Sequence, residues 1–203
     1  VLVQWYAGEQ QGRTLADILL GKVNPSGKLN VSFPRSTGNT PCFYNHFVTD
    51  REEPFDQPGT PEEPKGHYIF DKPEPLWNFG HGKSYTTFDY VDCALSDTLL
   101  AASDTLKVSV MIKNTGRCDG KEVVQLYVRD KVSTVATPIQ QLKAFQKVLV
   151  KSGESQCVEL SLPIAELALY NAKMEEVVEP GDFEIQIGAA SDDIRFKKTI
   201  TIN

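Results

Sequence analysis

Tyr44, His46, His67 and Tyr68 are the side chains of this sequence best suited to touch a ligand, and they sit in two short islands, FYNHF and HYIF. Aromatic faces with polar tips suit a carbohydrate. The same residues also serve to pin a long loop to a protein body, and that is the reading carried forward. Other chemistry is sparse. The sequence has no GxSxG elbow, phosphate-binding loop or metal-ligand motif. Cys42, Cys93, Cys118 and Cys157 form no CxxC pair, and no histidine stands at zinc-ligand spacing. They read as four separate, mostly buried thiols, because a chain of 203 residues can stabilise itself through its core without a disulfide framework. No catalytic, cofactor-binding or metal-binding residue is assigned.

The elements around these residues fall into two kinds. VLVQWY, residues 1–6, is nearly all apolar and suits a strand covered on both faces. RTLADILL places Leu15, Ile18 and Leu19 on one helical face, and Gly21 follows as a C-cap. LNVSF alternates as a short strand that Pro34 ends. This strand-helix-strand unit needs sheet neighbours, so it reads as the tail of a larger α/β domain. With no initiator Met and no signal peptide, the first residues of the gene product are expected to be absent. Residues 35–74 are rich in proline, glycine and acids and read as a long irregular connection.

From Tyr85 onward the pattern is all-β. TFDYVDCAL, TLKVSVMIKNTG, KEVVQLYVRD, QQLKAFQKVLV and QCVELSLP read as five strands, with Leu106, Val108, Val110 and Ile112 on one face of the second. LALYN, EEVVEPG, DFEIQIG and FKKTITI complete the set. NTG, SGE and EPGD turns separate them, as in an antiparallel sandwich of immunoglobulin or fibronectin type III character. Tyr127, Phe145 and Tyr170 lie in apolar patterns and are expected in the core. The net charge of −6 argues against nucleic acid or an anionic membrane as partner. No apolar run approaches the length of a membrane span.

Several segments together carry a family likeness. AGEQQGRTLADILLGKVNPSGKLNVSFPRS, PLWNFGHGKSYTTFDY, GKEVVQLYVRD, PIQQLKAFQKVLVKSGES and VEPGDFEIQIGAASDDI resemble the C-terminal portion of family 3 glycoside hydrolases, the β-glucosidase and β-xylosidase family. The likeness spans almost the whole chain except residues 47–65. Lys83 stands where that family usually has leucine, and Ala144 where it usually has glycine; neither position is catalytic there.

The resemblance implies a fold class that is mainly β: a fibronectin type III-like or immunoglobulin-like antiparallel sandwich preceded by a partial α/β segment. The division expected is 1–36 for the end of an α/β sandwich domain, 37–85 for an irregular linker and 86–203 for the sandwich. In the linker, Tyr85 and Phe88 are expected to anchor the sandwich, and Leu76, Trp77 and Phe79 to face the α/β side. A retaining glycosidase needs two carboxylates about 5–5.5 Å apart. The resemblance implies that nucleophile and acid/base both precede Val1, so the fragment alone would be inactive. Asp50, Glu52, Glu53, Asp56, Glu62 and Glu63 read as a solvated acidic loop. Glu9 reads as structural, beside a helix N-terminus. The implied partners are the upstream catalytic domains of the same polypeptide and the carbohydrate substrate of the parent enzyme, with no cofactor. The implied location is periplasmic or secreted. A carbohydrate-binding module or a generic interaction domain is the alternative reading.

Overall fold

Leu106, Val108, Val110 and Ile112 alternate with outward neighbours, and a period of two gives a strand with one buried face. Repeated along residues 86–203, this pattern builds two facing sheets. The computed structural model describes residues 1–47, 60–62, 72 and 74–203. Its strands are β1 (Phe88–Leu95), β2 (Leu99–Leu100), β3 (Thr105–Asn114), β4 (Gly120–Asp130), β5 (Gln141–Val150), β6 (Ser155–Pro163), β7 (Leu169–Tyr170), β8 (Glu176–Val177), β9 (Gly181–Ala190) and β10 (Asp193–Ile202). One sheet has the order β1-β3-β6 and the other β2-β10-β9-β4-β5, while β7 and β8 pair by themselves. The protein is thus mainly β and antiparallel, apart from the short parallel pairing of β2 with β10. Among the described residues, no helix is long and apolar enough to cross a membrane.

The core lies between the sheets. Val108, Val110 and Ile112 of β3 and Val158, Leu160 and Leu162 of β6 meet Val124, Leu126, Val128, Ile185, Ile187 and Ile200 of the larger sheet. Each fully buried aliphatic side chain of this kind stabilises by about 1.5–3 kcal/mol. β4 breaks the simple alternation: Val124 through Val128 are buried on both faces. Its outward residues, Gln125 and Tyr127, are covered by the chain that precedes the sandwich.

β5 is the outer strand of its sheet. Residues directly opposite in an antiparallel pair share a face. Phe145 lies opposite Gln125, Lys147 opposite Val123, and Leu149 opposite Lys121. Phe145 is 66% exposed and Tyr170, in β7, 59%, so the core expectation holds for Tyr127 and fails for these two. The reason for Phe145 is its outward face, beyond the cover that shields Tyr127.

The tail is only partly as expected. The helix forms as α1 (Gln11–Leu19), and Gly21 ends it at a φ of +71° with its N–H donating to the Ile18 carbonyl. Leu15 and Ile18 are half-buried, but Leu19 is exposed. Neither flanking segment forms a ladder. A strand exists only where neighbours take its backbone groups. Residues 29–33 find theirs in the linker: the Leu29 N–H donates to His81 at 2.8 Å, Gly80 to Leu29 at 2.7 Å, and Phe33 to Trp77 at 2.8 Å. The cysteines are separate and free, but only Cys93 is buried; Cys42 and Cys118 are half-buried and Cys157 is exposed on β6. The burial expected of most of them therefore fails, Cys157 because it takes an outward position of an alternating strand.

Candidate functional site at the tail–sandwich joint

The singled-out ligand residues serve as pins where they are described. Tyr44 stacks on Phe79 with ring centroids 4.2 Å apart and meets Tyr127 edge-on at 5.9 Å. Its hydroxyl accepts the Leu142 N–H of β5 at 3.2 Å. The His46 carbonyl accepts the Ile139 N–H, while its ring is exposed. His67 and Tyr68 lie outside the described residues, as do Asp50, Glu52, Glu53, Asp56 and Glu63. Glu62 is exposed. Glu9 is also exposed and stands just before Gln10, the residue that opens α1 without a side-chain cap.

Among the described residues, Asp130 and Glu179 are two carboxylates whose ionisation is shifted in opposite directions. A cavity of about 150 Å³ lies against Asp130, Ser133, Thr137 and Pro138. Burial pushes the Asp130 carboxyl up, while hydrogen bonds from Thr134 hold Glu179 down. The oxygens of Glu179 are taken by the Thr134 N–H, the Thr134 hydroxyl and Ser133. Asp130 accepts the Val132 N–H at 3.2 Å. Bonds of this kind fix the β4–β5 connection. Among the described residues no group of three or more His, Cys, Asp or Glu gathers to hold a metal.

The densest polar chemistry is at the joint. Pro25 and Gly27 turn the chain after α1, so Asn24 and Lys28 both point at the sandwich. The Asn24 amide donates to the Asp119 carbonyl at 2.9 Å. Its oxygen accepts from the Ser84 hydroxyl and the Tyr85 N–H, each at 2.8 Å. Lys28 reaches Glu122 of β4 at 3.0 Å, with side chains only 14% and 8% exposed. The same ammonium donates to the Gly82 carbonyl at 3.3 Å. A Cβ at Gly82 would collide with the Gly27 carbonyl, so the close approach of linker to turn demands glycine here. Removing one partner of a buried ion pair costs about 3–5 kcal/mol, because the other charge is stranded.

Aromatic packing and a buried amide complete the joint. Phe33 meets Trp77 edge-on at 5.6 Å and Trp5 at 6.2 Å. Trp77 therefore faces the tail, as expected. Phe79 instead faces the sandwich through Tyr44. Tyr85 also departs from expectation, since its hydroxyl donates to the Ile18 carbonyl of α1 at 2.8 Å, while Phe88 does pack against the core. Leu76 is 47% exposed. These reversals have one cause: residues 76–85 interleave between the two parts and do not divide into halves. Beneath Phe79, the Tyr127 hydroxyl donates to Gln125 at 2.6 Å, and the Gln125 amide donates to the Gly80 and Ala189 carbonyls. A Cβ at Gly80 would strike Gln125, and its φ of +81° also calls for glycine.

The linker was legible in sequence as aromatic and glycine-rich. Lys28, Glu122, Asn24 and Gln125 belong to no motif that marks them in the sequence. Lys28 follows a Pro-Ser-Gly turn, the one local sign in the sequence that backbone geometry aims its side chain.

Comparison with known proteins matches both halves of this arrangement. Residues 1–85 match the family model described as the glycosyl hydrolase family 3 C-terminal domain, and residues 122–191 match a fibronectin type III-like domain. A β-xylosidase of Formosa agariphila is 41% identical over 197 residues, covering 96% of this chain and 26% of the relative. A periplasmic β-glucosidase of Salmonella typhimurium is 39% identical over 194 residues, covering 94% and 25%. The crystal structure of a β-glucosidase from Listeria innocua in complex with glucose superposes with a TM-score of 0.85 at 37% identity, covering 98% of this chain and 27% of that one. The chain thus spans about a quarter of the length of these relatives. In sequence and in fold it is similar to the C-terminal portion of family 3 glycoside hydrolases, with the match to that family's C-terminal domain over residues 1–85 preceding the match to a fibronectin type III-like domain.

Proposed function

We propose that this chain is the support portion of a family 3 β-glycosidase that hydrolyses β-linked glucosides or xylosides, and that it contributes no catalytic residue itself. The observation that carries the reading is the uneven surface. Trp5, Tyr6, Leu19, Leu20 and Val31 are large apolar side chains exposed at 46–105% in the tail, whereas Lys28, Asn24 and Gln125 at the joint are occupied by partners within the chain. Exposed apolar side chains this dense along one short segment favour a covering partner. The partner proposed is the upstream catalytic region of the same polypeptide, and the substrate is the carbohydrate that region cleaves. In this division residues 1–36 belong to the α/β domain, 37–85 join, and 86–203 form the sandwich.

Assay of the purified chain on aryl β-glucosides and β-xylosides tests the catalytic half of the reading. No turnover above the uncatalysed rate is expected. Turnover that disappears in Glu9→Gln would overturn it. A second reading, carbohydrate binding on the sandwich surface, draws on the exposure of Phe145 and Tyr170. Retardation of the chain in a gel containing β-linked glucan or xylan, lost in Phe145→Ala, would favour that reading.

A further inference from the structure

We infer that the Lys28–Glu122 ion pair is a latch: it holds the tail's turn against the end of the sandwich, and breaking it opens the joint while the sandwich stays folded. Both partners of the latch lie within this chain.

Three observations carry it. First, the pair crosses between the two family-matched halves, from residue 28 to residue 122, and both charges are nearly out of water. Such a pair is screened little by salt, and loss of one partner leaves a stranded charge whose easiest relief is local opening to solvent. Second, Lys28 is seated by the backbone. Its ammonium also binds the Gly82 carbonyl, and the glycine at 82 lets linker and turn lie close enough for that bond. Third, the contacts beside it are local. Asn24 binds Asp119, Ser84 and Tyr85, all within the joint, whereas the sandwich core of β3, β6, β9 and β10 is continuous without them. The latch can thus release without unzipping a ladder. The cation also faces Glu122 at the rim of the core, where the Glu122 carboxylate accepts the Val123 N–H at 3.0 Å and stays positioned.

The cysteines supply internal reporters. Cys118 lies in the joint, with its thiol against the Asn24 amide and the Tyr85 carbonyl. Cys93 is buried in the core and Cys157 is exposed on β6. The experiment is site-resolved alkylation of the whole chain by iodoacetamide, read by mass spectrometry, for the unmodified protein and for Lys28→Met, Glu122→Gln and the exchanged pair Lys28→Glu with Glu122→Lys. Lys28→Met and Glu122→Gln are each expected to raise the Cys118 rate several-fold relative to Cys157, from that of a half-buried thiol towards that of an open one, with Cys93 still protected. The exchanged pair is expected to recover most of the Cys118 protection. An unchanged Cys118 rate in both single variants overturns the latch. So does a Cys93 rate that rises together with Cys118, or a single variant that fails to fold, because the pair would then belong to the global fold. A folded exchanged pair that regains no protection overturns it too, since the contribution would not come from the pairing.

Discussion

Tyr127 carries its phenol on the outward side of a sheet, yet it is fully buried. Burial pushes its ionisation well above the ordinary phenol range, with lesser contributions from Tyr44 and Asp192. In the unfolded chain a tyrosine ionises near pH 10. Above that pH the unfolded state sheds a proton that the folded state keeps, so stability falls as pH rises. The expected slope from this residue is about 1.4 kcal/mol per pH unit. Tyr127→Phe should flatten the alkaline limb by that amount, at a cost near neutral pH of about 1 kcal/mol for the lost bond to Gln125. Urea unfolding from pH 9 to 12 measures both, and equal slopes in the two proteins would refute the assignment. At this scale the sequence was a mixed guide. It placed Tyr127 in the core but put Phe145 and Tyr170 there too, because apolar character alone cannot tell a covered outward face from an open one. Lys28 and Glu122 stand 94 residues apart, a separation at which no spacing rule pairs two charges.

Elements were more legible where their neighbours are near in sequence. The long strands β3 and β6 follow directly from alternation, while β4, β9 and β10 are marked by apolar runs and by the turns at NTG, SGE and EPGD. VLVQWY and LNVSF carry strand composition, but a strand is completed by what lies beside it, and residues 29–33 borrow the linker instead. Trp77 supports that borrowed pairing from the tail side, through Phe33. Trp77→Ala is expected to speed hydrogen exchange at the Phe33 and Leu76 amides while leaving Val108 to Ile112 unchanged. Because Trp77 is only half-buried, the loss should fall below the about 3–5 kcal/mol of a fully packed aromatic. Equal exchange at Phe33 in the two proteins would show that the bridge holds without the ring.

The described residues form a sandwich with its own core and a preceding segment joined to it by hydrogen bonds and an ion pair. Residues 86–203 are expected to fold alone, but without the cover that Tyr44, Phe79 and Gly80 lay over Tyr127 and Gln125. Their urea midpoint should therefore lie below that of the full chain; coincident midpoints would mean the cover contributes nothing. β5 has a different consequence. It is an outer strand whose exposed Phe145 and Leu149 are interleaved with Lys147 and Lys121 on the same face. An apolar strand edge invites a second copy of itself, and lysines discourage that meeting by mutual repulsion. Such repulsion reaches about 10 Å at 0.1 M salt and about 3 Å at 1 M. The guard against self-recognition is therefore ionic, so concentrated salt removes the repulsion and leaves the apolar attraction between two β5 faces in place.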